Sequence, residues 1–168
     1  MNFLDPFAIE RTRQVCEALL PLRERFIQLV GEMEFYNWDM PIFTGEWKLT
    51  TFKHKGDLVD NQNETAAARI AAEIPVINLP YVSTIGYSML GAGAKIDWHR
   101  GYYGDIWRMH FGLDCPEGDI HLQVNDEKRK WKDGEFILFD DLNMHRAWNN
   151  STEDRLILLI DILKPEGA

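Results

Sequence analysis

Val82-Ser83-Thr84-Ile85-Gly86-Tyr87-Ser88-Met89-Leu90, closed by Gly91-Ala92-Gly93 and followed by Lys95-Ile96-Asp97-Trp98-His99-Arg100, marks the point where the chain changes character. From here on, short runs rich in β-branched and aromatic residues are cut at regular intervals by turn residues, the signature of an antiparallel sandwich or barrel. After these first two, the runs are Ile106–Leu113, Ile120–Val124, Lys128–Trp131, Glu135–Phe139, His145–Asn149 and Arg155–Leu163. Pro116-Glu117-Gly118, Asn125-Asp126 and Asp133-Gly134 separate several of them. Eight strands with regular turns predict a jelly roll.

Upstream the period is different. Val15, Leu19, Leu22, Phe26, Leu29 and Val30 recur at three- and four-residue steps between Pro6 and Glu34, interrupted by Pro21, which predicts a helix bent or split at the proline. Residues Trp47 to Lys55 read as a strand, Asp57 to Glu64 as a polar loop and Thr65 to Glu73 as a short alanine-rich helix. The expected architecture is mainly β with N-terminal helices: a double-stranded β-helix, or cupin-like jelly-roll barrel, with helices packed outside. One domain over 1–168 is expected, with an α-rich support region at 1–80 and the jelly-roll core at 81–166.

Composition bounds what such a barrel does. In 168 residues, 45% are hydrophobic and 27% charged, with nine Phe and six Trp, so the chain has a core to build and is not disordered. A net charge of −9 argues against nonspecific binding to nucleic acid or anionic lipid. No apolar run approaches the ~20 residues of a spanning helix, and Met1-Asn2-Phe3-Leu4-Asp5-Pro6 lacks the regions of a signal peptide. The expectation is a cytoplasmic protein with neither membrane nor nucleic acid as partner; its oligomeric state is not written in the sequence. Cys16 and Cys115 lie in unrelated contexts and read as free thiols, not as a disulfide or a zinc site.

Strand alternation makes the polar residues legible, because side chains two apart share a face. Arg108 and His110 point the same way, and so do Arg155, Ile157, Leu159 and Asp161. If Ile157 and Leu159 face the interior, Arg155 enters it too, and a buried guanidinium requires an anion. A dicarboxylate cosubstrate would supply one; so would Asp140, Asp141 or Asp154 in a structural ion pair. His99 and His145 lie 46 residues apart, with Arg155 ten further on, a pattern that suits a metal and a carboxylate ligand. A facial iron site usually adds a carboxylate two residues after the first His; here that residue is Gly101. Strand histidines also serve as hydrogen-bonded core or surface residues, and His54, between Lys53 and Lys55, is expected to be exposed. The residues alone therefore leave two readings open, a two-His metal site or a barrel with core histidines.

From Tyr87 to Glu166 the chain resembles the aspartyl/asparaginyl β-hydroxylases, which are iron(II)- and 2-oxoglutarate-dependent dioxygenases. The resemblance is carried by Tyr87-Ser88-Met89, His99-x-Gly101, Arg108-Met109-His110-Phe111-Gly112-Leu113, Asp133-Gly134-Glu135, Phe139-Asp140-Asp141, His145-Arg146-Ala147-Trp148, Arg155-Leu156-Ile157, Asp161 and Pro165-Glu166, in that order. It implies that His99 and His145 hold Fe(II), and that Arg155 with Ser88 binds the distal carboxylate of 2-oxoglutarate. Arg108 and His110 would contact the metal-side carboxylate or the substrate, which places Arg108 beside the two histidines in the catalytic set. The implied reaction uses O2, releases succinate and CO2, and hydroxylates a C–H bond of an amino acid or of a residue in a peptide, carrier-bound or protein substrate.

Gly101 is where many members carry aspartate, although a subgroup has glycine and manages with two histidines. A small residue there is also how unrelated halogenases of this chemistry make room for chloride, so halogenation is an alternative, and a non-catalytic carboxylate-binding barrel is another. Asp97 shares a strand face with His99 and is either a solvated side chain or a group reaching toward the metal or its water. Arg100 and Arg146 flank the ligands as candidates for recognising an acidic substrate, though alternation points them outward. Tyr102, Tyr103, Trp38, Trp47, Trp98 and Trp148 are candidates for lining the mouth, or for the core.

Overall fold

The computed structural model describes residues 1–167. Pro21 splits the N-terminal helix as its chemistry dictates. Helix α1 (Glu10–Leu19) buries Val15, Cys16 and Leu19, a 3-10 turn follows over Leu20–Leu22, and α2 (Arg23–Leu29) then buries Phe26 and Leu29. A third helix, α3 (Glu64–Glu73), buries Ala67, Ile70 and Ala71.

The strands are β1 (Phe3–Leu4), β2 (Tyr36–Asn37), β3 (Phe43–Thr44), β4 (Trp47–His54), β5 (Asp57–Leu58), β6 (Val82–Leu90), β7 (Lys95–His99), β8 (Ile106–Asp114), β9 (Ile120–Val124), β10 (Glu127–Arg129), β11 (Phe136–Asp140), β12 (His145–Asn149) and β13 (Arg155–Leu163). They form two antiparallel sheets. The larger runs β1-β11-β8-β13-β6-β4-β2, with β5 added beside β4; the smaller runs β10-β9-β12-β7-β3. All eight strands expected after residue 80 are present. The fifth stops at Arg129, before Trp131, whose side chain turns into the core ahead of the Asp133-Gly134 turn.

The region before residue 80 does more than cover the barrel. Strand β4 lies along β6 from Trp47 opposite Leu90 to Lys53 opposite Ile85, and β1 closes the other edge against β11. Gly86 makes that approach possible, since a Cβ there would collide with the Thr50 carbonyl.

Period-two alternation gives the larger sheet two different faces. On β8, Met109 and Phe111 face the helices, packed with Phe26, Ile70 and Leu158 in one apolar cluster. A second cluster fills the space between the sheets, with Leu90, Ile96, Leu122, Ile137, Phe139 and Ile157. Each fully buried Leu, Ile or Phe contributes about 1.5–3 kcal/mol to stability. The helical layer thus anchors the larger sheet from behind, and Tyr87 ties the two by donating its hydroxyl to the Phe26 carbonyl at 2.5 Å. The opposite faces of the same strands, freed from that duty, carry Ser88, Arg108, His110 and Arg155 inward. No helix among the described residues is long and apolar enough to cross a membrane.

Candidate active site

His99 and His145 sit directly opposite each other on β7 and β12, with ring centroids 4.2 Å apart. Each Nδ1 lies 2.7 Å from a backbone carbonyl two residues earlier, that of Asp97 for His99 and that of Asn143 for His145. A carbonyl only accepts, so both Nδ1 atoms carry the hydrogen and both Nε2 atoms keep a lone pair. Burial lowers both pKa values, His145 to about 3, with the neighbouring His99 adding to the shift there. Two neutral imidazoles of matched tautomer are what a divalent metal requires.

The space beside Gly101 is filled from elsewhere. A Cβ on Gly101 would collide with Asp141 Oδ2 and lie 2.8 Å from its Cγ, so the Asp141 carboxylate occupies the space that a longer residue at 101 would need. Its Oδ1 is 3.6 Å from His145 Nε2 and 3.1 Å from Arg108 Nη1, yet is buried without a hydrogen bond. Burial pushes the Asp141 carboxyl up even though Arg108 pulls it down. Asp97, by contrast, offers His99 only its backbone carbonyl, and its exposed side chain lines an outer groove instead. Among the described residues no three His, Cys, Asp or Glu side chains converge as a complete metal-ligand set. The histidine pair offers two nitrogen donors, with Asp141 beside it.

Arg108 is the cross-strand partner of Asp161, and the two form a forked pair: Nε to Oδ1 at 2.8 Å and Nη2 to Oδ2 at 3.0 Å. With Asp141 on Nη1, the guanidinium meets two carboxylates. Burial alone would lower its pKa; Asp161 and then Asp141 outweigh that and raise it.

Arg155 is 2% exposed and has no carboxylate partner among the described residues, so the structural ion pair to Asp140, Asp141 or Asp154 is not formed. Asp154 instead accepts from the Ala92 N–H, and Asp140 pairs with Lys164. Arg155 Nη2 donates to Ser88 Oγ at 2.9 Å and to the Ser88 carbonyl at 3.2 Å, its Nε is buried without a partner, and its guanidinium lies 4.3 Å from the Trp131 ring centroid. Burial lowers its pKa to about 10. Ser88 Oγ also accepts from Trp47 Nε1 at 3.1 Å. With both acceptor positions engaged, the Ser88 hydroxyl hydrogen is left to donate.

These groups and His110 line one small cavity of about 40 Å³ between the sheets, with His99 and His145. The imidazole pair fits a divalent metal, and the orphaned Arg155 Nε with the free Ser88 hydroxyl fits a carboxylate. The structure thus brings together all six residues named from the sequence: Ser88, His99, Arg108, His110, His145 and Arg155. It adds Asp141, Trp131 and Trp47. Trp47 was a candidate for the mouth and sits inside, against Trp38 at 5.0 Å. Asp141 was named only as a counter-ion, and Trp131 had no motif of its own. Arg146 lies between this cavity and the outer groove and lines both, its Nε bonded to Gln123 and its guanidinium stacked between Trp98 and Trp148. Tyr102 and Tyr103 are exposed on the loop after His99.

The chain is similar to known proteins in sequence and in fold. The family described as aspartyl/asparaginyl beta-hydroxylase matches residues 17–165. The ornithine lipid ester-linked acyl 2-hydroxylase of Rhizobium tropici is 33% identical over 92 residues, covering 54% of this chain and 33% of that protein. The human aspartyl/asparaginyl beta-hydroxylase is 27% identical over 124 residues, 73% of this chain and 16% of that protein. The chain therefore spans a third or less of these relatives. Two solved structures share the fold: an oxidoreductase of the 2OG-Fe(II) oxygenase family from Burkholderia pseudomallei, with TM-score 0.58, 10% identity and 86% and 80% of the two chains covered, and a Pseudomonas putida prolyl-4-hydroxylase, with TM-score 0.53, 12% identity and 89% and 88% covered.

Proposed function

This chain belongs to the aspartyl/asparaginyl β-hydroxylase family, and on that premise we propose that it is an iron(II)- and 2-oxoglutarate-dependent dioxygenase that hydroxylates a C–H bond of an amino acid or amino-acid residue. The single observation that carries the reading is Arg155, a guanidinium buried between two sheets with no anion of its own. Leaving a charge in that state is costly unless a ligand completes it. A five-carbon dicarboxylate held there by Arg155 and Ser88 points its other end toward His99 and His145, which would hold iron(II). Bound iron(II) would supply activation of O2, coupled to oxidation of the cosubstrate to succinate and CO2.

The chain's own residues set the conditions for that chemistry. His99 and His145 stay neutral because they are buried, and their Nδ1–H groups are anchored to carbonyls, so neither ring rotates away from the site. Arg108, held by Asp161 and facing Asp141, is a fixed guanidinium near the metal-side end. Phe139 and Leu159 keep the cavity apolar around these groups and exclude bulk water. Asp141 fills the space beside Gly101 that a small residue would otherwise leave open, which favours a two-histidine hydroxylase over a halogenase. The complete constellation of charged and hydrogen-bonding groups likewise favours an enzyme over a passive carboxylate-binding barrel.

A second substrate reading comes from the mouth. Trp98, Tyr102, Tyr103, Leu142 and Met144, all exposed, lie on the segments next to His99 and His145, and Gly104 brings its loop within van der Waals range of Leu142. An apolar rim suits an acyl chain, the group that the name of the Rhizobium relative specifies. Anaerobic titration with iron(II) and 2-oxoglutarate tests the cofactor assignment: a weak visible charge-transfer band is expected, and its absence overturns the reading. His99→Ala and His145→Ala are expected to abolish succinate release; full activity in either refutes the ligand assignment. Substrate-stimulated succinate release over amino acids, short peptides and acyl amphiphiles, with a +16 mass shift in the product, decides between the two substrates.

A further inference from the structure

Trp131 makes two contacts at the cosubstrate end of the cavity. Its indole N–H donates to His110 Nδ1 at 3.0 Å, and its ring face lies 4.3 Å from the Arg155 guanidinium carbon. An indole N–H only donates, so His110 Nδ1 must be the lone-pair nitrogen and Nε2 must carry the hydrogen. This is the opposite tautomer to His99 and His145, whose Nδ1 atoms donate to carbonyls. One cavity therefore holds two kinds of histidine: a pair presenting lone pairs and a third presenting a hydrogen.

The second contact addresses the Arg155 problem from the other side. The electron-rich face of an indole is the best aromatic surface for a cation, and stacking beneath a guanidinium leaves the in-plane N–H groups free. A carboxylate in the same place would have engaged them. Trp131 itself is 5% exposed and packed among Ile137, Leu122 and Phe139, so its ring is fixed by the core and not by solvent.

We propose that Trp131 is the positioning residue of the cosubstrate site: its N–H locks His110 into the form that donates from Nε2, and its ring holds Arg155 charged yet unpaired, so that both aim at one incoming dicarboxylate. The inference rests on the 2-oxoglutarate reading for the identity of that anion, but the two contacts are properties of the ligand-free chain. Burial also keeps the His110 pKa well below its usual range, assisted by the charges of Arg155 and Arg108, so the donor form is the neutral ring.

The experiment is nitrogen-15 NMR of the histidine side chains in the metal-free, cosubstrate-free protein, paired with anaerobic cosubstrate titration. In the wild type, His110 is expected to show a protonated Nε2 and a bare Nδ1, while His99 and His145 show the reverse. A protonated Nδ1 on His110 overturns the lock, whatever any variant does. Trp131→Phe keeps an aromatic face for Arg155 and removes the donor: His110 should then sample both tautomers, and the cosubstrate Kd should rise about 10-fold. Trp131→Leu removes both contacts and should raise it about 100-fold. An unchanged His110 signature in Trp131→Phe, in protein shown by its NMR spectrum to be folded, overturns the proposal. Because the tautomer is read without metal or cosubstrate, a wild type that binds no 2-oxoglutarate would refute the functional reading while leaving the lock separately measured.

Discussion

Arg108 and Arg155 enter the same cavity from neighbouring strands of the same sheet, and the protein treats them in opposite ways. Arg108 is neutralised on arrival: Asp161 forks its Nε and Nη2, and Asp141 sits against Nη1. Arg155 is given a serine, a carbonyl and an indole face, none of them charged. The difference appears in the direction of their pKa shifts, raised for Arg108 by its carboxylates and lowered to about 10 for Arg155 by burial. A guanidinium already paired is a fixed element of structure and field; one left unpaired is a binding site waiting for its anion. With two arginines and two aspartates the region is neutral before loading, and a divalent metal with a dicarboxylate leaves it neutral after.

The largest effect is expected from breaking the satisfied pair. Asp161→Asn leaves the half-buried Arg108 with only Asp141 as a charged partner and weakens two charge-assisted hydrogen bonds, which together are worth about 3 kcal/mol. Chemical denaturation should show that loss in the ligand-free protein. A change under 1 kcal/mol would mean that Arg108 is no better compensated than Arg155, and the contrast would disappear. Arg155→Met probes the other arm. It should weaken 2-oxoglutarate binding by about 100-fold or more, from the loss of charge-assisted hydrogen bonds. At the same time it should stabilise the metal-free fold by about 1–4 kcal/mol, because an uncompensated buried charge is replaced by an apolar side chain of similar length. Destabilisation by Arg155→Met, seen as a lower unfolding midpoint, would show that Arg155 is structural after all.

Much of this contrast was legible in the sequence, and its limits have physical causes. Alternation placed Arg108 with His110 and Arg155 with Asp161 because strand geometry fixes the face of every second residue. The partner of each arginine was another matter. Cross-strand register decides it, and register depends on which residue of β13 faces which residue of β8, a long-range fact: Asp161 meets Arg108 while Arg155 meets only β6. Asp141 escaped as the neighbour of Gly101 because a glycine reads as an absence, and only the fold shows what fills it. Trp131 closes the expected strand Lys128–Trp131; it lies just past β10, where the chain turns inward, and its two contacts join segments that sequence separation hides. The N-terminal strands were partly visible, Trp47–His54 from its composition, whereas the two-residue strands are too short to carry a period.

Burial, assisted at His110 by the two arginines, also sets an acid limit on stability. His110 and His145 are buried neutral, with pKa values depressed below 6.5, His110 by burial and then by Arg155 and Arg108, His145 by burial and then by His99. Below pH 6.5 the unfolded chain binds protons that the folded rings refuse, so stability is full above that pH and falls as pH drops toward the folded pKa values, about 3 for His145. The slope is about 1.4 kcal/mol per pH unit for each ring. Unfolding midpoints of the metal-free protein between pH 7.5 and 5 should follow it. Arg155→Met should raise the pH at which the His110 contribution levels off, by removing a nearby cation; an unchanged levelling-off in that variant would place the whole shift on burial.

The smallest effect is also the most specific to the unpaired arginine. Ser88 Oγ accepts from both Arg155 Nη2 and Trp47 Nε1, so its own hydrogen, like that of Arg155 Nε, is left with no protein acceptor among the described residues. Ser88→Ala removes that donor and one acceptor, but Arg155 keeps the Ser88 carbonyl at 3.2 Å and the Trp131 face. One neutral hydrogen bond is worth about 1 kcal/mol, so the cosubstrate Kd should rise about 5-fold while kcat at saturating 2-oxoglutarate stays near the wild-type value. The same substitution should leave the Asp161–Arg108 pair, and hence the large destabilisation by Asp161→Asn, unchanged, since the two arginines share no hydrogen-bond partner. If Ser88→Ala instead lowers kcat with no change in Kd, the trio around Arg155 holds the fold of the site, not the anion, and Arg155 would have to be regrouped with Arg108 as part of the framework.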